Sequence, residues 1–170
     1  MSGALAWRVA ERKDRPALQA FTCTAPHPTY PGRFAPPHPK GWELEVQKYI
    51  HELKPSGATD RVILLGYHGA ELAAVVLVID EPAAPEFFHI GLLATSYPLR
   101  LAGAHFGDEA IEQALQWCGR RARGSVGRVL VSANVHPNNS ASRACMRRNG
   151  FTRDAGRAGH YEQWLLDLEV

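Results

Sequence analysis

The spacing of apolar positions changes several times along the chain, and each change marks an element. From Arg128 to His136, Val129, Val131, Ala133 and Val135 alternate with Leu130, Ser132, Asn134 and His136, the period of a strand with two distinct faces. From Asp108 to Arg121 the spacing lengthens, and Phe106, Ala110, Ile111, Ala114, Leu115 and Cys118 fall on one face of a helix. Leu44, Val46, Tyr49, Ile50 and Leu53 form a similar stripe, predicting a helix from Trp42 to Leu53. Two apolar runs, Arg61 to Tyr67 and Glu71 to Ile79, flank His68-Gly69-Ala70 and predict a hairpin. Phe87 to Thr95 predicts another strand, Trp7 to Glu11 a short first one, and Tyr161 to Leu168 the last. Asp14 and Pro16 signal a helix from Lys13 to Phe21, and Ser140 to Asn149 reads as a helix closed by Gly150.

Between Ala25 and Gly41 the chain carries Pro26, Pro28, Pro31, Pro36, Pro37 and Pro39. Proline lacks an N–H donor and fixes φ, so this is an extended loop, of a length that often carries function in compact domains. No linker or repeat divides residues 1–170, so a single domain is expected. The element order predicts an α/β layered domain, and the strand–helix–strand unit from Phe87 to His136 places its two strands parallel.

Composition narrows the class. The 170 residues are 45% hydrophobic and 21% charged, which excludes a disordered chain and a membrane protein. The longest apolar run, Leu72 to Ile79, is too short to span a bilayer. Residues Met1 to Arg8 lack a secretory pattern, and Cys23, Cys118 and Cys145 are widely separated and odd in number. Cytoplasm is therefore the expected location. The net charge is only +2, but Arg120, Arg121, Arg123, Arg128, Arg143, Arg147, Arg148, Arg153 and Arg157 stand in a segment whose one acid is Asp154. Such asymmetry fits either an anionic ligand near the second half or a solvated arginine-rich surface.

Two stretches carry chemistry. The first runs from Ile90-Gly-Leu-Leu-Ala-Thr95 through a loop to Ala102-Gly-Ala-His-Phe-Gly107 at the start of the long helix. The second is Val135-His-Pro-Asn-Asn139-Ser-Ala-Ser142-Arg-Ala-Cys-Met146-Arg-Arg-Asn-Gly150-Phe151. Together they resemble the GNAT acyltransferases over roughly the middle and last third of the chain. The second is most similar to the branch of ribosomal-protein N-terminal and aminoglycoside acetyltransferases. The resemblance implies the GNAT fold, a mixed, mostly antiparallel central sheet with a parallel splayed strand pair and flanking helices. It also implies acetyl transfer from acetyl-CoA to a primary amine by direct attack.

A glycine-rich turn at a helix N-terminus gathers backbone N–H groups and favours an anion; in GNAT proteins that anion is the coenzyme A pyrophosphate. Arg100, Gly103 and His105 fit the family turn in one phase, and Ala102, His105 and Gly107 in the other. The second keeps Ala110 and Ile111 in the apolar stripe and is preferred, making Ala102, Gly103, Ala104, His105, Phe106, Gly107 and Asp108 cofactor candidates. An ordinary strand-to-helix turn is the alternative reading. Leu93, Ala94 and Thr95 fall where the family's backbone pairs with the pantetheine arm. Asn139 and Ser142 match the family's next positions, although asparagine there is equally a helix N-cap.

Met146 stands where many members have a tyrosine acid, and methionine has no proton to give. This keeps open a rival, a GNAT-fold acyl-CoA-binding module without catalysis. Cys145 reads as a buried structural residue turned away from the site. An ammonium acceptor needs a base, for which His89 and His136 are the candidates, although a lone strand histidine is also commonly structural. Strand alternation puts His89, Gly91, Leu93 and Thr95 on one face. His27, His38 and His105 show no metal-ligand spacing, and no metal is expected. The expected partner is a small-molecule or peptide amine, reached past Tyr30, Arg33 and Phe34 of the proline-rich loop. No membrane is expected, and a homodimer is left open. Nucleic acid, with aminoacyl-tRNA as acceptor, is the weaker reading given the mild charge and the lack of aromatic interleaving.

Overall fold

The computed structural model describes residues 4–27, 37–55, 57–81, 83–122 and 127–170, with only the backbone for 156–158. Tyr30, Arg33 and Phe34 of the proline-rich loop lie outside the described residues. The strands are β1 (Ala6–Val9), β2 (Arg61–His68), β3 (Glu71–Asp80), β4 (Phe87–Thr95), β5 (Arg128–Val135), β6 (Thr152–Ala158) and β7 (Tyr161–Glu169). The helices are α1 (Arg15–Ala20), α2 (Gly41–Glu52), α3 (Tyr97–Leu101), α4 (Gly107–Ala122) and α5 (Ser140–Arg148).

The strands form one sheet in the order β1-β2-β3-β4-β5-β7-β6. β4 and β5 pair in parallel, as the crossover through α4 requires, and the other described pairs are antiparallel. One apolar cluster joins Val76, Val78, Phe88, Ile90, Val129, Val131 and Ala133 to Ala110, Ile111, Ala114 and Cys118 of α4. On the opposite face Ile63, Leu65, Val75, Leu77, Leu92 and Ala94 pack with Leu18 near α1's end and Ile50 of α2. The sheet is thus a middle layer between two helical layers, which satisfies both of its apolar faces.

The structure departs from the sequence reading in four places. The helix expected from Lys13 to Phe21 is a 3-10 turn over Arg12–Asp14 followed by α1. The segment read as a loop before Ala102 contains α3, and β6 adds a strand where none was expected. The fourth concerns β4, where Val78 pairs with Ile90 but Leu77 pairs with Leu92, leaving Gly91 as an extra residue. Such a bulge reverses the alternation beyond it. Ile90 and Leu93 therefore face the α4 side, and His89, Leu92 and Ala94 the α1–α2 side. His89 does not share a face with Leu93 and Thr95, contrary to simple alternation.

The N-terminal strand is tied down by charge. Arg8 reaches Asp14 through two hydrogen bonds of 2.6 Å, and Asp14 also accepts from the Glu11 N–H at 2.8 Å. Asp14 is buried, and the Arg8 guanidinium lowers its carboxyl to about 2 against the opposing effect of burial. The folded value lies below the unfolded one, so this stabilisation is fully present above the ordinary carboxylate range and is lost as pH falls towards 2. Asp14→Asn is expected to cost about 2 kcal/mol at neutral pH. Denaturant titrations at pH 7 and pH 3 check this, since the gap between wild type and variant must shrink in acid. A gap that stays constant would assign the loss to packing.

Candidate active site

The site exists because two neighbouring strands part company. Parallel pairing ends at Ile90 with Ala133; beyond it β4 stays with β3 to Thr95, while β5 stays with β7 to Val135. The facing edges of Leu92–Thr95 and Asn134–Val135 have no strand partner across the gap. Two adjoining cavities occupy the resulting cleft, of about 240 Å3 and about 110 Å3. They share Trp42, Val46, Leu93, Asn139, Ser142 and Cys145.

The larger cavity lies under the start of α4. It is lined by Leu93, Ala94 and Thr95, by Ala104, His105, Phe106, Gly107 and Asp108, and by Asn139 and Ser142. The expected phase of α4 holds, with Ala110, Ile111 and Ala114 buried and Asp108 exposed. The first N–H groups of such a helix lack intrahelical partners. Ala102 and Gly103, although candidates, do not line either cavity. Gly103 instead ends α3 at φ +86°, where its N–H bonds to the Arg100 carbonyl and that of Ala104 to the Leu99 carbonyl, both at 3.0 Å. This is a glycine helix cap. Its signal in the sequence was Ser96, whose hydroxyl accepts from the Leu99 N–H, followed by Pro98 in the first turn.

Asn139 caps α5, its Oδ1 accepting from the Ser142 N–H at 3.1 Å. Starting the helix there places Asn139, Ser142, Cys145 and Asn149 along one stripe at three- and four-residue spacing. Cys145 is therefore turned into the cleft and not away from it, and its Sγ donates to Asp108 Oδ1 at 3.2 Å. Burial, and then the Asp108 carboxylate, push this thiol up to about 12, so it stays protonated and chemically quiet. Asp108 also accepts from Arg148 at 2.9 Å and from Asn149 at 2.7 Å, and the Arg148 guanidinium holds its carboxyl below the usual range.

Trp42, Glu43 and Val46 of α2, and Arg100 of α3, which the sequence offered only in the less favoured phase of the turn, complete this cavity. Arg100 bonds Glu43 at 3.3 Å and the Cys23 carbonyl, bracing α3 against α2. No periodicity announces such contacts, because they join side chains distant in the chain.

The smaller cavity has two unlike walls. Ile90, Ile111, Ala133, Val135 and Met146 form an apolar one, with Met146 buried as expected of a residue without a polar atom. Trp42, Asn134, His136 and Tyr161 form the other. The His136 ring stacks on Trp42 at 4.4 Å, and Tyr161 meets it edge-on at 5.7 Å. His136 Nδ1 accepts from the Asn138 N–H at 3.2 Å, so its neutral ring carries the proton on Nε2 and is a donor there. Tyr161 donates to Glu45 at 3.0 Å, and burial together with that carboxylate raises its phenol.

His89 lines neither cavity, although the next residue, Ile90, lines the smaller one. Its Nδ1 lies 2.8 Å from Ser132 Oγ, whose hydroxyl is within 3.4 Å of the Phe88 carbonyl. With the hydroxyl donated to that carbonyl, Nδ1–H donates to Oγ and the lone pair is on Nε2. Burial lowers the His89 pKa, with Ser132 partly opposing it, so the neutral ring prevails at pH 7.

The arginines divide. Arg148 lines the larger cavity, whereas Arg121 pairs with Asp80 at 3.1 Å at the far end of α4. Arg143 pairs with Glu162 at 3.0 Å, and Arg147 lies over the Trp164 ring. Among the described residues no group of three or more histidines, cysteines or acids could hold a metal ion, and no helix is long and apolar enough to cross a membrane.

The seven-stranded sheet with its splayed parallel pair is the GNAT fold. The GNAT domain of S. lividans PAT superimposes with a TM-score of 0.65 at 18% identity, covering 98% of this chain and 92% of that one. The PaiA N-acetyltransferase of Thermoplasma acidophilum, solved with coenzyme A, gives 0.64 at 11% identity over 96% and 98%. The ribosomal-protein-S18-alanine N-acetyltransferase of Escherichia coli gives 0.59 at 12% over 98% and 94%. At the level of sequence, no protein-family model and no curated protein matches this chain.

Proposed function

We propose that the chain, acting as one domain, is an N-acetyltransferase that uses acetyl-CoA and a primary amine. The observation that carries this reading is the cleft itself, where open strand edges meet the bare N-terminus of α4. The donor set suits coenzyme A. The unpartnered backbone of Leu93 to Thr95 offers strand-like hydrogen bonds to an amide-containing arm. The first turn of α4 offers N–H groups to a pyrophosphate. Of the two carboxylates in that turn, Glu109 accepts from the Leu5 N–H and the Trp7 indole, while Asp108 is neutralised by Arg148, which is itself placed to meet a phosphate.

Acetyl-CoA would supply an activated thioester; the chain's own residues supply position and proton handling. Asn139 and Ser142 border both cavities and orient what lies between them. His136 presents an N–H and is suited to hydrogen-bond the acceptor. His89, with its free Nε2 on the same side of the sheet as Trp42, takes the ammonium proton through a water. Met146 contributes apolar packing and no proton.

The reading is tested by incubating the protein with acetyl-CoA and a panel of small amines, peptides and aminoacyl esters, and following free thiol. Acceptor-dependent thiol release, with heat stabilisation by acetyl-CoA, is the expected result. Stabilisation without release on any acceptor would favour a binding module, for which Met146 gives the motive. Absence of both would remove coenzyme A from the account.

A further inference from the structure

One charged surface lies outside the cleft. α5 presents Arg143 and Arg147 one turn apart, and β6 adds Arg153. With Phe151, Thr152 and Trp164 they enclose a shallow depression of about 470 Å3. Trp164 is buried beneath it, and the Arg147 guanidinium rests over its ring at 5.6 Å. Glu162 is held between Arg143 and Arg153, each at 3.0 Å. Two guanidiniums thus share one carboxylate, and Arg147 has no carboxylate partner among the described residues. Asp154, next along β6, turns its carboxylate to the Ala155 N–H at 2.8 Å.

This depression adjoins the rim of the cleft. Arg143 Nη1 donates to the carbonyl of Pro137, the residue after His136, and Glu162 follows Tyr161. His136 and Tyr161 both line the smaller cavity. A chain leaving the cleft past them meets these arginines next.

We propose that the α5–β6 face docks an acidic stretch of a polypeptide acceptor whose amine enters the cleft past His136 and Tyr161. The proposal rests on the transferase reading for the fate of that amine. Guanidinium forks match carboxylates in pairs, and the excess of positive charge over Glu162 leaves room for added carboxylates. A nucleic acid suits the surface less well. Its aromatic residues, Phe151 and Trp164, are buried and offer no ring face for base stacking, and one of the three cations is already balanced.

The test uses the full chain, acetyl-CoA and two peptides with the same free N-terminus. One carries a run of glutamates a few residues from the amine, the other glutamines. The acidic peptide is expected to show a KM about 10-fold lower at low salt. The advantage should disappear in Arg147→Glu and in Arg153→Gln, with kcat and the acetyl-CoA heat shift unchanged. Arg153 is largely exposed, so its variant reports even if Arg147→Glu folds poorly. Equal KM values for the two peptides overturn the proposal. So does acylation of small amines alone, which would leave the transferase reading standing. A labelled RNA oligonucleotide that binds wild type and is released by the same variants overturns it in favour of nucleic acid. If no acceptor is acylated and coenzyme A does not bind, the transferase reading fails separately. Calorimetry with an N-blocked acidic peptide then decides the surface, with binding lost in Arg147→Glu supporting it and no binding overturning it.

Discussion

Gly107→Asp will weaken acetyl-CoA binding by about 100-fold. Gly107 opens α4 and lines the larger cavity. A Cβ built there lies 3.2 Å from Cys145 Sγ, so even alanine requires that side chain to give by a few tenths of an ångström. Aspartate adds a further carboxylate to a turn that already holds Asp108 and Glu109, and Arg148 balances only Asp108. A unit charge about 5 Å from a phosphate, at an effective dielectric of about 20, costs roughly 3 kcal/mol, which is about two decades in affinity. Titration calorimetry measures it, with Gly107→Ala as the variant that carries the steric change alone. Alanine should retain most of the affinity. If aspartate binds as tightly as wild type, the pyrophosphate is not held at α4.

His89→Ala should lower turnover by roughly 10²-fold or more, with little change in acetyl-CoA affinity. The expectation rests on the place of His89 in β4, directly before the cavity-lining Ile90, and on the ring's fixed orientation by Ser132. Because burial lowers the His89 pKa below its ordinary value of 6.5, the base form persists into mildly acidic solution. The rate should fall on an acid limb lying below that value, and the limb should vanish or move in the variant. Ser132→Ala keeps the ring but frees it, so a smaller loss with a displaced limb is expected. Wild-type turnover and an unaltered pH profile in His89→Ala would remove it from the mechanism and leave His136.

Much of the fold was legible because its main elements bury whole faces. The stripe of α4 and the alternation in β5 are imposed by apolar contact along their full length, and periodicity reports such contact directly. Short elements escaped. α3 is little more than one turn with no buried residue, and β6 carries Arg153, Asp154 and Arg157 with little apolar pattern. The strand bulge at Gly91 left no periodic trace either, since a single extra residue between Ile90 and Leu92 looks like an ordinary small one. Its effect was to move His89 to the other face from Leu93. In the site, positions next to backbone features could be found, such as Asn139 before α5 and Gly107 at α4. Cys145 was misjudged because its direction depends on the residue at which α5 begins. Trp42, Glu43 and Arg100 reach the cleft by tertiary packing alone, which one-dimensional spacing does not encode.

The extra residue in β4 also limits how the chain can vary in length over evolutionary time. Deleting Gly91 would remove the bulge and leave Ile90 and Leu92 on opposite faces, as they are now, so every side chain from Leu92 to Thr95 would keep its face. Leu92 and Ala94 would stay in the α1–α2 core and Leu93 on the α4 side. A single insertion or deletion within Leu92 to Thr95, by contrast, would turn over the residues beyond it. Descendants of this sequence can therefore lose one residue at the bulge with the faces preserved, whereas beyond it they can change length only by two. A change of one residue beyond the bulge must be matched by a compensating change nearby, so gaps there should come in even numbers.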